Sequence, residues 1–165
     1  MATDLRPQIA TIGVYGYDLE AFLSDLRRHD VVRVADLRQR RGVRGLEYSW
    51  ANARRLIQAL HDRGIGYEHH RELAPTIELR ELQYAEDARQ RVGKRSRVEL
   101  APAYRERYVS EILDVADLDE FMRGLPLEGV TALLCVERDP EACHRSLVAE
   151  RLERLGAVVV HLRPC

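Results

Sequence analysis

The chain reads as an α/β protein: a three-layer, Rossmann-like fold with a largely parallel five-stranded sheet and helices on both faces. Two observations predict this. Short strand-like apolar runs alternate with stretches of helical period along the whole length. Several of those runs, Val130-Thr-Ala-Leu-Leu above all, are apolar at successive positions, as strands covered on both faces must be.

The elements follow in order. Gln8-Ile-Ala-Thr-Ile-Gly13 is the first strand. Asp18 is placed to cap a helix that turns Leu19, Phe22, Leu23 and Leu26 inward. Val31 to Arg38 is the second strand, with Asp36 and Arg38 on one face of its carboxyl end. An arginine-rich loop with Gly42 and Gly45 leads to Ser49, read as the cap of a helix with Ala53, Leu56, Ile57 and Leu60 inward and Gly64 as its stop. Ile65 to His70 is the third strand. Residues 76–114 hold no strand-like run and carry many charges. They read as a helical, charged insertion within a single 1–165 domain, with Leu79, Leu82, Ala85 and Ala88 on one apolar face, a break at Gly93 to Arg97, and Tyr104, Tyr108, Ile112 and Leu113 on another. A short helix near 117–122 precedes the fourth strand. Ser146 to Leu155 is a further helix, stopped by Gly156, and Val158 to Leu162 is the fifth strand. The strand order expected on these grounds is 3-2-1-4-5, with strands one and four adjacent where the connections diverge.

With 165 residues, 45% hydrophobic and 32% charged side chains and a net charge of -1, the chain has a globular composition and no global polycation that would demand nucleic acid. Lys94 is the only lysine, so the basic side chains are otherwise arginines. No run reaches membrane-spanning length, and the first residues lack the apolar core of a leader. Three cysteines at unframed spacings suggest free thiols in a reducing, cytoplasmic setting.

The chemistry concentrates in Cys135-Val-Glu137-Arg-Asp139-Pro140-Glu-Ala-Cys143-His144-Arg145, between the fourth strand and its helix. Ligands bind at such carboxyl ends in open α/β sheets. A thiol near a helix start has a lowered pKa and can act as a nucleophile. Arg145 is suited to grip a phosphate or carboxylate, and Glu137 or His144 to act as acid or base. Whether Asp139 and Pro140 or the residues around Cys143 open the helix stays open. So does the bland alternative that Cys135 and Cys143 are small buried hydrophobes. A metal held by Cys135, Glu137, Cys143 and His144 competes, but two liganding residues side by side on one helix chelate poorly, and the expectation is no metal and no cofactor. Asp36 and Arg38 can orient a polar ligand or form a structural pair. One of His69 and His70 should face the same mouth. Gly13 allows a close backbone approach, and Tyr15 can stack on a ligand. Arg38, Arg40, Arg41 and Arg44 with Tyr48 and Trp50, and Arg89 to Arg97, are two basic patches that suit nucleic acid or merely solvent.

Thr11-Ile-Gly13, Val34-Ala-Asp36-Leu-Arg38, Gly64-Ile-Gly-Tyr67-Glu-His69 and the Cys-x-Glu-x-x-Pro-x-x-Cys-His-Arg run resemble the domain of unknown function 488 family along nearly the whole chain. Leu73-Ala-Pro-Thr76 to Arg80-Glu-Leu-Gln83 is similar to one branch of it. Many members carry Pro and Ser-Arg soon after the Asp-x-Arg, where this chain has Gln39-Arg-Arg-Gly42. The resemblance implies a Rossmann-like fold and makes Asp36, Arg38, Cys135, Glu137, Cys143, His144 and Arg145 the site candidates; it implies no particular reaction. The expected function is an enzyme acting on an anionic, phosphate-bearing ligand such as a nucleotide or nucleic acid. The alternatives are a non-catalytic nucleotide or nucleic-acid binding module, and a thiol redox sensor.

Overall fold

The structure is a computed structural model and describes residues 6–165; the opening residues read above for a leader lie outside that range. Five strands, β1 (Gln8–Ile12), β2 (Val31–Asp36), β3 (Gly66–His69), β4 (Val130–Leu134) and β5 (Val158–His161), form one sheet whose paired neighbours all run parallel. The helices are α1 (Leu19–Arg28), α2 (Ala53–Asp62), α3 (Ile77–Arg89), α4 (Pro102–Tyr108, continued by a π-helical turn at Val109–Leu113), α5 (Leu118–Arg123) and α6 (Arg145–Arg154).

The sheet has three layers because its strands alternate cleanly. Ala10, Ile12, Val34, Ala132 and Leu134 pack with Phe22, Leu26, Leu56 and Leu60 of α1 and α2. Ile9, Ala35 and Leu133 pack with Leu79, Tyr108, Leu118, Val148 and Leu152 from α3 to α6. Among the described residues no helix is long and apolar enough to cross a membrane.

The strand order is 3-2-4-1-5, not the expected 3-2-1-4-5. Both β1 and β4 are buried almost throughout, so both belong at the centre. Hydrophobic pattern cannot say which of two such strands lies nearer to β2. The expected adjacency of β1 and β4 holds. Chain leaving β1 crosses β4 to reach β2 over one face, and chain leaving β4 crosses β1 to reach β5 over the other, which opens a crevice beyond their carboxyl ends.

Three local expectations are corrected. Ser49 does not cap α2: Leu46–Ala51 is a 3-10 turn, and Asn52 precedes the helix. Ile57 faces outward, leaving Leu56 and Leu60 as the buried residues of α2. On α3 the buried positions are Leu79, Gln83 and Asp87, while Ala85 and Ala88 are exposed. Asp18 caps α1 as expected, accepting from the Ala21 N–H at 2.8 Å.

Gly13 sits where β1 leaves the sheet against the backbone of Glu137, and a Cβ at this position would overlap the Glu137 carbonyl. Gly64 closes α2 at φ +72 with open space around it. Gly13→Ala should therefore cost more than Gly64→Ala: about 2–3 kcal/mol from forced backbone displacement, against about 1 kcal/mol from positive φ alone. Chemical denaturation of the two variants checks this, and equal costs would mean that the turn yields freely at Gly13.

Candidate functional site

Parallel register lines up the strand ends. Ile12, Leu134, Asp36 and His69 stand at one level across β1, β4, β2 and β3. The next residues are tied across the rim: Leu37 N–H donates to Leu134, Cys135 N–H to Ile12, and the N–H groups of Val14 and Tyr15 both to the Val136 carbonyl. Sequence positions far apart are thereby brought to one place.

Beyond this rim lies a cavity of about 440 Å³. Cys135, Cys143 and His144 line it together with Arg38, Glu137 and Tyr15, so most of the sequence candidates meet there. The wall missed by sequence reasoning comes from the helical segment: Arg80 and Gln83 of α3, Lys94 and Arg97 of the following loop, and Tyr104 of α4. Lys94 and Arg97 were read only as part of a basic patch. The usable signal was a set of polar residues at helical spacing: Gln83 donates to Asp87 at 2.9 Å and accepts from the Ala101 N–H at 2.8 Å. Asp87 in turn holds Arg97 at 2.6 Å.

Other candidates stand behind the wall. Asp36 is fully buried and takes Arg38 in a two-pronged grip at 2.9 and 2.8 Å, with the Tyr67 hydroxyl donating to the same carboxylate at 2.5 Å. The remaining Arg38 arm donates to the Ala51 carbonyl at 2.8 Å, so Asp36 and Arg38 form a structural pair. His69 bonds the Arg38 carbonyl at 2.8 Å. His70 does not face this mouth. It bonds Glu68 and Glu72, both at 2.8 Å, and packs edge-on against Phe121.

Arg145 is corrected as a ligand-gripping residue. It is fully buried, does not line the cavity, and donates to the Glu137 carbonyl at 2.7 Å and the Arg138 carbonyl at 3.0 Å. Its guanidinium holds the turn that carries Glu137.

The helix start resolves into two pieces. Pro140–Ala142 is a single 3-10 turn, the chain extends at Cys143 (φ -142, ψ 147), and α6 begins at Arg145. Cys143 therefore lies outside the helix, which removes the objection that adjacent Cys and His side chains diverge. His144 Nε2 bonds the Leu37 carbonyl at 3.0 Å and lies 3.3 Å from Cys135 Sγ; its Nδ1 is 3.8 Å from both Cys135 Sγ and Cys143 Sγ. Among the described residues, Cys135, Cys143 and His144 form the one group of three or more His, Cys, Asp or Glu side chains close enough to share a metal ion, their ligand atoms lying within 4.8 Å of one another. All three cysteines are free, and Cys165 is exposed.

Electrostatics separates the two thiols. Burial pushes Cys135 well above the ordinary thiol range, and its hydrogen bond to Cys143 and the negative charge there push it further. Burial also opposes ionisation of Cys143, but the Cys135 hydrogen bond and the charges of His144 and Arg145 outweigh it, and Cys143 falls well below that range. Burial lowers His144, yet the Cys143 charge and Glu137 reverse the sign and raise it. Both shifts run the same way, favouring a negative Cys143 beside a positive His144. Burial, then the Cys143 charge, raise the Glu137 carboxyl against the pull of Lys94 and Arg97.

The family model described as Domain of unknown function DUF488 matches residues 18–152, from the cap of α1 into α6. The chain belongs to the DUF488 family. A search of curated proteins and a search of solved structures each gave no match. The matched span contains the Cys135 to Arg145 turn and the cavity wall from α3 to α4, so the cavity is built almost wholly from DUF488 sequence; Tyr15 is the one lining residue outside it.

If Arg145 holds the turn, Arg145→Ala removes the donor from two part-buried carbonyls and empties a fully buried side-chain site, and should lower stability by about 2–4 kcal/mol. Denaturant melts check this. A variant as stable as the wild type would show that those carbonyls find other partners.

Proposed function

We propose that this DUF488 chain is an enzyme acting on an anionic, phosphate-bearing ligand in the cavity at the carboxyl end of the sheet, in a reducing cytoplasmic setting. The observation that carries this is the distribution of unspent positive charge. Arg38, Arg40, Arg44, Arg80, Lys94 and Arg97 line the cavity against the single carboxylate of Glu137. Arg38 and Arg97 are neutralised by Asp36 and Asp87. Arg40 and Arg44 have no side-chain partner among the described residues, and Lys94 has only Glu137 at 3.9 Å. Free cations around a partly enclosed, low-dielectric space favour an anion far more than the same charges do in open solvent.

The roles then follow. Arg40, Arg44 and Lys94 hold the anion. Cys143, with His144 beside it, is the nucleophile on the floor. Glu137, raised by burial, is placed to pass a proton to or from the reacting group. Arg145, Asp36 and Gly13 keep these atoms in place without touching the ligand.

One observation favours a second reading, a nucleotide or nucleic-acid binding module. Arg95 stacks over Tyr15 at 5.0 Å and over Tyr48 at 5.2 Å beside the cavity, and such planar surfaces accept a base.

Arg40 and Arg44 are exposed, so replacing them should leave the fold within about 0.5 kcal/mol of wild type. Each contact to a phosphate oxygen is worth about 1.5–3 kcal/mol. Arg40→Ala with Arg44→Ala should therefore weaken pyrophosphate binding at least about 10-fold in calorimetry, and added salt should weaken the wild type in the same direction. Equal affinity in wild type and double variant, or no pyrophosphate binding at all, would contradict the anion site. Retained binding with turnover absent from every phosphate ester tried would favour the module.

A further inference from the structure

We infer that Cys135, Cys143 and His144 form a three-ligand site for a thiophilic divalent cation, zinc foremost, on the floor of the same cavity. The three residues come from a strand end, an extended residue and the residue before a helix, and all are buried. Their ligand atoms lie within 4.8 Å of one another. With zinc–sulfur bonds of about 2.3 Å and zinc–nitrogen bonds of about 2.0–2.1 Å at tetrahedral angles, neighbouring ligand atoms stand about 3.5–3.8 Å apart. His144 Nδ1 stands 3.8 Å from both sulfurs without any rearrangement.

The second shell agrees. A metal-bound imidazole usually donates its other ring N–H to a carbonyl or carboxylate, which fixes the tautomer. Here Nε2 is 3.0 Å from the Leu37 carbonyl, a main-chain oxygen held in place by the β2–β4 ladder. Donation there leaves Nδ1 unprotonated, 3.8 Å from each sulfur. Two thiolates neutralise a divalent ion, so the loaded cluster adds no net charge to a buried place. Two sulfurs and one nitrogen suit zinc over magnesium or calcium. All three residues line the cavity, so a fourth position opens to water or to the cavity's ligand.

A metal-bound Cys143 gives one lone pair and much of its charge to the ion, and is a weaker nucleophile than the free thiolate. Zinc would thus act on the proposed enzyme as a reversible inhibitor. That consequence, unlike binding itself, rests on the nucleophile reading above.

The test starts from chelator-treated protein. Cobalt(II) titration should give a thiolate-to-cobalt charge-transfer band saturating at about one ion per chain, and zinc should displace it. Cys135→Ser and Cys143→Ser should each lose the band, and Cys165→Ser should keep it. Circular dichroism confirms that each variant is folded. Should Cys135→Ser fail to fold, wild type still decides through the band itself and through zinc shielding Cys135 and Cys143, but not Cys165, from alkylation mapped by mass spectrometry. No thiolate band, a band that survives in Cys135→Ser and Cys143→Ser, or one lost in Cys165→Ser overturns the site. Two failures separate cleanly. Rapid alkylation of metal-free Cys143 at pH about 6 with no ion bound removes the metal site and leaves the nucleophile. Ion binding with Cys143 inert when metal-free does the reverse.

Discussion

A buried guanidinium without a carboxylate organises this protein. Arg145 has no solvent exposure, and no acidic side chain lies within ion-pair distance of it among the described residues. Buried charges are normally paired, because desolvation costs several kcal/mol per ion. Its two terminal nitrogens donate instead to the carbonyls of Glu137 and Arg138, its Nε has no partner among the described residues, and the main-chain N–H of Arg145 donates to Cys143 Sγ at 3.5 Å. The group that its charge acts on is Cys143, two residues earlier, whose thiol the Cys135 hydrogen bond and the charges of His144 and Arg145 pull well below the ordinary range against burial. Gly13 must be a glycine for the same reason, since the Glu137 backbone that Arg145 pulls in occupies the space of a side chain there. Backbone geometry and the electrostatics of the two thiols at this turn are thus one arrangement.

The rest of the cavity shows a division between spent and unspent cations. Arg38 and Arg97 are buried and committed to Asp36 and Asp87; each also holds a main-chain carbonyl, Ala51 in one case and Ala142 in the other. They join the floor to α2's approach and to α3. Arg40 and Arg44 have no side-chain partner among the described residues, and Lys94 has only Glu137 at 3.9 Å. The loop after α3 closes against the opposite rim through Arg95, which reaches Glu47 and the Arg44 carbonyl, both at 3.3 Å, so these three cations sit on segments that touch each other across the opening. The chain as a whole carries a net charge of -1, so the excess of positive side chains here is local and does not follow from the overall charge.

Much of this was legible in the sequence, and the limits have physical causes. Strands were legible because burial on both faces leaves a continuous apolar run, as at Thr131 to Leu134. Cys135, Glu137, Cys143 and His144 were legible because they follow such a run directly. Strand order was not, since β1 and β4 carry equivalent patterns. The α3 wall was hidden because Gln83 and Asp87 are buried polar residues, satisfied by Arg97 and Ala101, where apolar periodicity selects Ala85 and Ala88. Arg145 was misassigned because a guanidinium beside a helix start looks the same in sequence whether it turns to a ligand or to its own backbone. The backbone conformation at Cys143, which decides whether two adjacent side chains can converge, left no mark in composition or spacing.

This turn pulls the two buried thiols apart, favouring ionisation of Cys143 and opposing that of Cys135. The direct measurement is a pH titration of the cysteine Cβ carbon resonances by NMR in metal-free protein, with Cys165→Ser to remove the exposed thiol. The account predicts that Cys143 deprotonates below the ordinary thiol value of about 8.5 while Cys135 remains a thiol above it. A Cys143 that titrates at or above the ordinary value, or two cysteines that titrate alike, would contradict it.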